Sequence, residues 1–302
     1  MTLCVSKIVM VTIVIPTYNR ASIILRTLDS VAKQSYKNWE CLVVDDHSTD
    51  NTKTVVEEYC RKDSRFLYLV NEGKKGAQGA RNTGLNHALF DWVIFFDSDN
   101  IMHSDMLESM VDEIENNKEQ FDVLTCFSNV INVYREERIN SFDWVCEGNI
   151  HDKLFTGECY VDYNSAVIRK RALFEMDAID EDCPSMQEWD THIRLSETAR
   201  YHTIQKVLVD YYVGGKDAIS SDNKREIVGR LYILKKYQKE WKRHKESHIG
   251  YVKAVYSLIQ QHTSILFQIV ATLKLIIYSP SVQWINMKRR VKRFIHRIDN
   301  NT

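Results

Sequence analysis

The sequence predicts an α/β protein: a Rossmann-like, mostly parallel sheet flanked by helices, followed by a helical C-terminal extension. Three observations carry this. An apolar strand, a polar loop and a stretch of helical period recur four times in the first hundred residues. The strands are β-branched apolar runs, as in parallel sheets covered on both faces. From about Asp222 onward only helical periodicity remains.

The elements follow in order. "MVTIVIP" is the first strand; the apolar run before it is short, broken by Lys7 and without a small-residue cleavage site, so a buried strand explains it better than a signal peptide. From Ser22 to Gln34 the period places Ile24, Leu25, Leu28, Val31 and Ala32 on one helical face. "WECLVVDD" is the second strand, and the helix "TKTVVEEYCRK" after it has Thr49, Asp50 or Thr52 as N-cap. "RFLYLVN" is the third, followed by the Gly-rich "EGKKGAQGARNTG" and the helix "ARNTGLNHALF". "DWVIFFDSD" is the fourth. Right-handed crossovers between such strands give a parallel sheet whose ligands gather at the strands' carboxyl ends. After Ser104 come a helix, "DMLESMVDEIENN", and an alternating strand pair within "FDVLTCFSNVINVYREE". In the extension Ile227, Leu231, Leu234 and Trp241 recur at helical spacing.

Composition narrows the function classes. With 44% hydrophobic and 27% charged residues the chain is globular, and 10 Gly and 3 Pro leave little room for linkers. Its 40 Lys plus Arg against 41 Asp plus Glu give no global argument for nucleic acid. The basic run "KRRVKRFIHR" from Lys288 is the local exception. The seven scattered cysteines, without a C-x-x-C, fit neither a disulfide framework nor a zinc site, which points to a reducing, cytoplasmic location. His244 and His248 stand four apart but lack the H-E-x-x-H order, and a solvated basic face is their expected setting.

Chemistry concentrates at the predicted strand ends. Asp97 and Asp99, one residue apart after the fourth strand, can share a hard divalent cation through oxygen ligands, or cap the turn and helix that follow. Asp45 and Asp46 end the second strand, where they could accept from a base N–H and a ribose hydroxyl. Gly73, Gly76 and Gly79 suit either a phosphate-approaching loop or a flexible surface turn; their spacing matches neither G-x-G-x-x-G nor a Walker A sequence.

Taken together, "VTIVIPTYNRASIILRTLDSVAKQSYKNWECLVVDDHSTDNT", "KGAQGARNTGLNHA" and "WVIFFDSDN" resemble the nucleotide-binding half of a family-2 inverting glycosyltransferase of GT-A fold. That family carries the P-T-Y-N, V-D-D-x-S-T-D, A-R-N-x-G and D-x-D motifs in this order and at about these separations. The resemblance implies that Pro16, Thr17, Tyr18, Asn19, Asp45, Asp46 and Arg81 line the nucleotide. It also implies that Asp97 faces the ribose side and that Asp99, with Asp97, holds Mn²⁺ or Mg²⁺ against the diphosphate. "DYNSAVIRKRALFEMDAIDEDCPSMQEWDTHIRLS" is similar to the family's acceptor-side stretch. Where many members carry two acids before the Trp, Gln187 stands here, so Glu188 is the expected general base and Asp190, which can pair with Arg194 at i+4, the runner-up. Trp189 is expected to line a sugar.

The implied organisation is a nucleotide-sugar-binding half over residues 1–104, an acceptor-binding half of the same domain over 105–221, and a helical extension over 222–302. The implied partners are a nucleotide-sugar donor, UDP-linked, and a glycan or lipid-linked acceptor. "SILFQIVATLKLIIY" is short for a membrane span; joined to the basic run it suits either peripheral contact with the inner face of a membrane or packing on the catalytic domain. A nucleotide-sugar-binding or nucleotidyltransferase-like protein without glycosyl transfer is the alternative, and a binding module would not need an acid at Glu188.

Overall fold

The structure, a computed structural model, describes residues 8–117, 120–214 and 223–280. The chain divides into two compact units, residues 1–221 and 222–302. In the first unit β1 (Val11–Thr17), β2 (Trp39–Asp45), β3 (Phe66–Val70) and β4 (Trp92–Phe95) are parallel, in the spatial order β3-β2-β1-β4. Beyond β4 the sheet continues through β8 (Ala166–Arg169), β6 (Val123–Asn132), β9 (Tyr201–Val213) and the two-residue β5 (Ile101–Met102). There β6 and β9 run parallel, while β8 and β5 are antiparallel to their neighbours. A ninth strand, β7 (Glu137–Phe142), pairs with β6 alone. This is the mostly parallel, helix-flanked sheet that the sequence predicts.

The alternation of side chains along the strands sorts them into two faces. Val11, Ile13 and Ile15 of β1, with Cys41, Val43 and Ile94, pack under α1 (Ile24–Ala32), α2 (Thr52–Cys60) and α4 (Met106–Asn117). Each fully buried aliphatic side chain of this layer contributes roughly 1.5–3 kcal/mol. Val14, on the opposite face, meets α3 (Ala77–His87) so closely that a Cβ on Gly84 would stand 2.3 Å from its Cγ1. Only glycine lets that helix sit there.

Several expectations shift. In α1, Ile24, Leu28 and Val31 are buried but Leu25 faces out. In α2, Asn51 occupies the cap position; Asp50 Oδ1 takes the Thr52 amide, at 2.9 Å, and its hydroxyl. "FDVLTCFSNVINVYREE" holds β6 and a turn, and reaches only the first residue of β7, because β9 pairs with β6 along its whole length and holds it extended to Asn132. The unpaired reading of the cysteines fails for one pair. The segment after β7 folds back through α5 (His151–Thr156), brings the Cα atoms of Cys146 and Cys159 to 6.0 Å, and joins them by a disulfide. Spacing in sequence does not report that return, and the bridge removes the cysteine argument for a reducing compartment. Among the described cysteines Cys41, Cys60 and Cys126 are free.

The second unit comprises α8 (Asn223–Lys236), α9 (Gln238–Arg243), α10 (Lys245–Gln261) and α11 (Ile265–Tyr278). Ile227, Leu231, Leu234 and Trp241 are all buried, as their spacing predicts. His248 is buried too, bonded at 2.9 Å to Ser279 Oγ, where the sequence reading put a solvated face. Among the described residues no helix is long and apolar enough to cross a membrane. The basic run from Lys288 to Arg297 lies outside the described residues.

The remaining helices of the first unit are α6 (Lys170–Glu175) and α7 (Gln187–Leu195), and α7 carries the buried His192. Its ring lies in the core with Nδ1 2.9 Å from Tyr201 Oη, and burial pushes its pKa down to about 3. The neutral ring adds no pH dependence above its unfolded value. Below about pH 6.5 the unfolded chain binds the proton first, so stability falls with pH. The term reaches about 2 kcal/mol at pH 5. Urea unfolding at pH 7 and pH 5 should therefore show the wild type losing about 2 kcal/mol more than His192→Gln over that interval.

Candidate functional site

Register puts the sequence-predicted residues at one sheet edge. Thr17 pairs with Asp45 and Asp45 with Val70, so β1 to β3 end together; β4 ends at Phe95 opposite Val14, and the loops after all four parallel strands leave from one side. Pro16 is buried within β1 opposite Val44 and holds the strand rather than facing the edge. Thr17 is buried and its Oγ1 has no hydrogen-bond partner. Tyr18 is exposed, with Lys75 Nζ 5.2 Å from its ring centre. Asn19, at a φ of +52°, accepts the Thr49 amide at 2.8 Å and donates its own amide to Ser48 Oγ at 2.8 Å, tying the first loop to the second.

The two aspartates ending β2 are largely engaged by protein. Asp45 Oδ1 accepts from both the amide, at 2.9 Å, and the hydroxyl, at 2.5 Å, of Ser48, and its Oδ2 accepts from Tyr68 Oη at 2.8 Å. Asp46 accepts from Asn71 Nδ2 at 2.7 Å and from the Gly76 amide at 2.8 Å. Asp46 thus shapes the Gly-rich loop by holding the Gly76 backbone N–H and the Asn71 side chain. Asp45 Oδ2 and both Asp46 oxygens keep a second lone pair.

The centre of the site is an ion pair. Arg81 of α3, 4% exposed, donates Nη2 to Asp97 Oδ1 at 2.7 Å, and its guanidinium lies 4.6 Å from the Tyr163 ring centre. Burial opposes the Arg81 charge, but Asp97, Tyr163 and Glu188 more than offset it, so the group is held more firmly protonated than usual. Arg81 Nε is buried with no hydrogen-bond partner.

Asp97 is gripped from its other side by Asn164, in the turn before β8. Asn164 Oδ1 accepts the Asp97 amide at 2.7 Å, while its Nδ2 donates to Asp97 Oδ2 at 2.9 Å and to Asp162 Oδ1 at 2.8 Å. Burial, Asp97 and Glu188 push Asp162 up to about 7 against the bonds from Asn164. Sequence reasoning missed Asn164 and Asp162. The available signal was two polar residues immediately before an apolar strand that the sheet buries.

Asp99 differs from Asp97. Burial first, then the charge of Asp97, raises its pKa to about 6 although Arg20 and Arg26 pull it down. The Asp99 carbonyl accepts from Arg26 Nη2, and the guanidinium stands 4.2 Å from the Tyr212 ring centre, which ties the loop after β4 to α1 and β9.

The opposing group comes from α7. Glu188 is only partly exposed; burial and Asp97 raise its pKa while Arg81 lowers it, with a net rise. It shares that electrostatic environment with Asp162, Tyr160, Tyr163 and Tyr211. The fold therefore brings Glu188 and the Arg81–Asp97 pair, about ninety residues apart in sequence, into one site. Asp190 does not join them as a free acid: at 1% exposure its Oδ2 is 3.2 Å from Arg194 Nε, a buried i to i+4 pair. Trp189 donates Nε1 to the Leu154 carbonyl at 3.2 Å and packs near Phe155 of α5.

The donor set suits a hard divalent cation, with two carboxylates one residue apart and a net negative environment raising Asp99. Among the described residues no group of three or more His, Cys, Asp or Glu is placed to hold a metal, so further ligands would have to come from a bound molecule.

Comparison with known proteins agrees with this geometry. The family model "Glycosyl transferase family 2" matches residues 12–176. The UDP-Glc:α-D-GlcNAc-diphosphoundecaprenol β-1,3-glucosyltransferase WfgD of Escherichia coli is 44% identical over 112 residues, 37% of this chain and 44% of that protein. The chain thus aligns with less than half of that relative's length. Staphylococcus aureus TarS 1–349 in complex with UDP-GlcNAc superposes with a TM-score of 0.61 at 19% identity, covering 89% of each chain. The mannosyltransferase PcManGT of Pyrobaculum calidifontis, in complex with GDP-Man and Mn²⁺, gives 0.61 at 17% identity over 95% of this chain and 79% of that one. These likenesses establish a GT-A fold.

The unequal settings of the two acids on α7 have separate consequences for stability. Asp190→Asn strands the largely buried Arg194 charge and should cost on the order of 3 kcal/mol in urea unfolding. Glu188→Gln, which removes a charge that burial disfavours, should leave stability within about 1 kcal/mol of wild type or raise it.

Proposed function

The chain belongs to glycosyl transferase family 2, and from that premise we propose that it moves a sugar from a UDP-linked donor to a hydroxyl of a glycan or lipid-linked acceptor by a single inverting displacement. The observation that carries this is the placing of one acid, Glu188, in the electrostatic environment of a buried arginine, Arg81, that is already paired to the first aspartate of the D-x-D.

In this reading the donor diphosphate lies along the ends of β1, β2 and β4. The orphaned Arg81 Nε–H and Thr17 Oγ1 are groups that phosphate or ribose oxygens would satisfy. Tyr18 and Lys75 flank the entrance, and Asp45 and Asp46 keep lone pairs for the nucleoside. Asp99, with Asp97, would hold Mn²⁺ or Mg²⁺, which when bound supplies a counter-charge to the diphosphate. Asp97 has one oxygen on Arg81 and the other on Asn164, so Asp99 is the freer ligand.

The acceptor oxygen forms its bond to the anomeric carbon as the bond to the diphosphate oxygen breaks, and Glu188 takes the hydroxyl proton. Burial raises Glu188 toward the working pH, where a carboxylate is a more effective base. Arg81 opposes the charge arriving on the leaving group. The Arg194 pair supports Glu188 over Asp190 as base, since Asp190 is spent on structure. A binding protein without transfer gives no reason for a partly buried acid at Glu188.

The domain reading follows the same lines: 1–104 binds the donor, 105–221 binds the acceptor and 222–302 is an extension. For contact with the inner face of a membrane the support is α11, where Leu266, Val270, Leu273 and Ile277 form an exposed stripe at helical spacing. The sequence after α11 adds the six cations between Lys288 and Arg297, each contributing about 1 kcal/mol beside an anionic leaflet.

Calorimetric titration with UDP should show binding that strengthens with Mn²⁺ in the wild type and is indifferent to Mn²⁺ in Asp99→Ala. Glu188→Gln should retain UDP binding and lose transfer by about 10²- to 10⁴-fold, measured as UDP release in a screen of nucleotide sugars with acceptor. Equal transfer by Glu188→Gln and wild type would remove the assigned base. In vesicle flotation Leu266→Glu/Ile277→Glu should lower association with anionic vesicles at least about tenfold, and unchanged association would remove α11 as the contact.

A further inference from the structure

The Gly-rich loop and the segment leading into α7 are fastened by side chains that the proposed chemistry does not use. Asn82, next to Arg81 on α3, docks edge-on against the backbone of Ile179: Nδ2 donates to its carbonyl at 2.9 Å and Oδ1 accepts its amide at 3.0 Å. The Glu181 carboxylate accepts from the same Nδ2 through Oε1 at 2.8 Å and from the Lys74 amide through Oε2 at 2.8 Å. Buried Gln78 adds a bond from Nε2 to the Cys183 carbonyl at 2.5 Å. The Lys74–Asp182 ion pair at the rim is exposed on both sides and adds little. Gly73 makes the approach possible, since a Cβ there would stand 3.0 Å from Glu181 Oε1 and 3.1 Å from the Gly79 Cα.

The two segments so joined carry opposite halves of the site. Arg81 is the neighbour of Asn82, and Glu188 lies seven residues beyond Glu181. The body of α7 has separate anchors: Thr191 Oγ1 is 2.6 Å from Tyr163 Oη, and Asp190 pairs with Arg194. Loss of the Asn82 and Glu181 contacts would therefore free the entrance of α7 without dissolving the helix. We propose that Asn82 and Glu181 are positioning residues, a latch that fixes where the Glu188 carboxylate stands relative to Arg81. The inference rests on the roles given above to Glu188 and Arg81. Misplacing a reacting group by about 1 Å costs as much as 10²-fold in rate, so the latch should be visible in turnover before it is visible in binding.

The test uses the full chain with UDP and Mn²⁺ as the binding probe. Asn82→Ala and the more conservative Glu181→Gln should each lower kcat for transfer about 10- to 100-fold while UDP affinity and acceptor KM stay within about threefold. In the ligand-free protein, hydrogen exchange of the amides from 179 to 190 should quicken in Asn82→Ala while those of β1 and β2 do not change. The latch is overturned if kcat is unaffected, if kcat falls only in step with UDP affinity and folded fraction, or if exchange at 179–190 stays as in wild type. The exchange arm needs no substrate: should no donor give transfer, the functional reading falls, and exchange alone decides whether Asn82 and Glu181 hold the segment.

Discussion

The pairing of Arg81 with Asp97, almost out of reach of water, is the constraint on which the rest of the site depends. A guanidinium buried to 4% exposure is tolerable only beside negative charge, so the chain must keep a carboxylate within hydrogen-bond distance. Asn164 then becomes necessary, because it fixes Asp97 through both its amide and its carboxylate while being fixed itself by Asp162. The resulting line from α3 through the loop after β4 to the turn before β8 crosses the sheet where its parallel half meets its antiparallel strand. Charge is concentrated at that line at the expense of stability. Asp99, Asp162 and Glu188 are all raised from their ordinary values because each is asked to ionise near Asp97 in a poorly hydrated place.

Such an arrangement makes sense for a site that receives more negative charge. A bound cation and a diphosphate would redistribute the charge among Asp97, Asp99 and Arg81, and the orphaned Arg81 Nε–H would gain a partner. The acid on α7 stays outside that exchange. It feels Arg81 and Asp97 electrostatically but has its own burial, which in the proposed transfer would separate the group receiving a proton from the groups receiving a leaving anion. The disulfide from Cys146 to Cys159 closes the segment between β7 and the turn that carries Asp162 and Asn164, so the chain connectivity that supports the clamp is itself constrained.

Much of this was legible from residues alone, for a definite reason. Strands buried on both faces show as continuous apolar runs, so β1, β2 and β4 and the polar residues ending them stood out together, and register did the rest. Local sequence was enough to foresee the Asp190–Arg194 pair, because i to i+4 neighbours on a helix meet. What was not legible depended on distant returns of the chain. Asn164 grips Asp97 across 67 residues and Asn82 reaches Ile179 across 97. The Cys146–Cys159 bridge needs the fold-back through α5. Pro16 and Asp46 show what a motif does not report, which is that its residues also serve as framework: Pro16 buried in β1, Asp46 spanning the Gly-rich loop.

Where a donor's diphosphate comes to rest is decisive for the roles of Asp99 and Arg81. A crystal structure of the chain grown with UDP and Mn²⁺, with the metal located by its anomalous scattering, addresses this directly. The expected result is manganese bonded to Asp99 and to diphosphate oxygens, with the Arg81 guanidinium within hydrogen-bond distance of the same diphosphate. Nucleotide bound away from the ends of β1, β2 and β4, or manganese with no contact to Asp99, would contradict it.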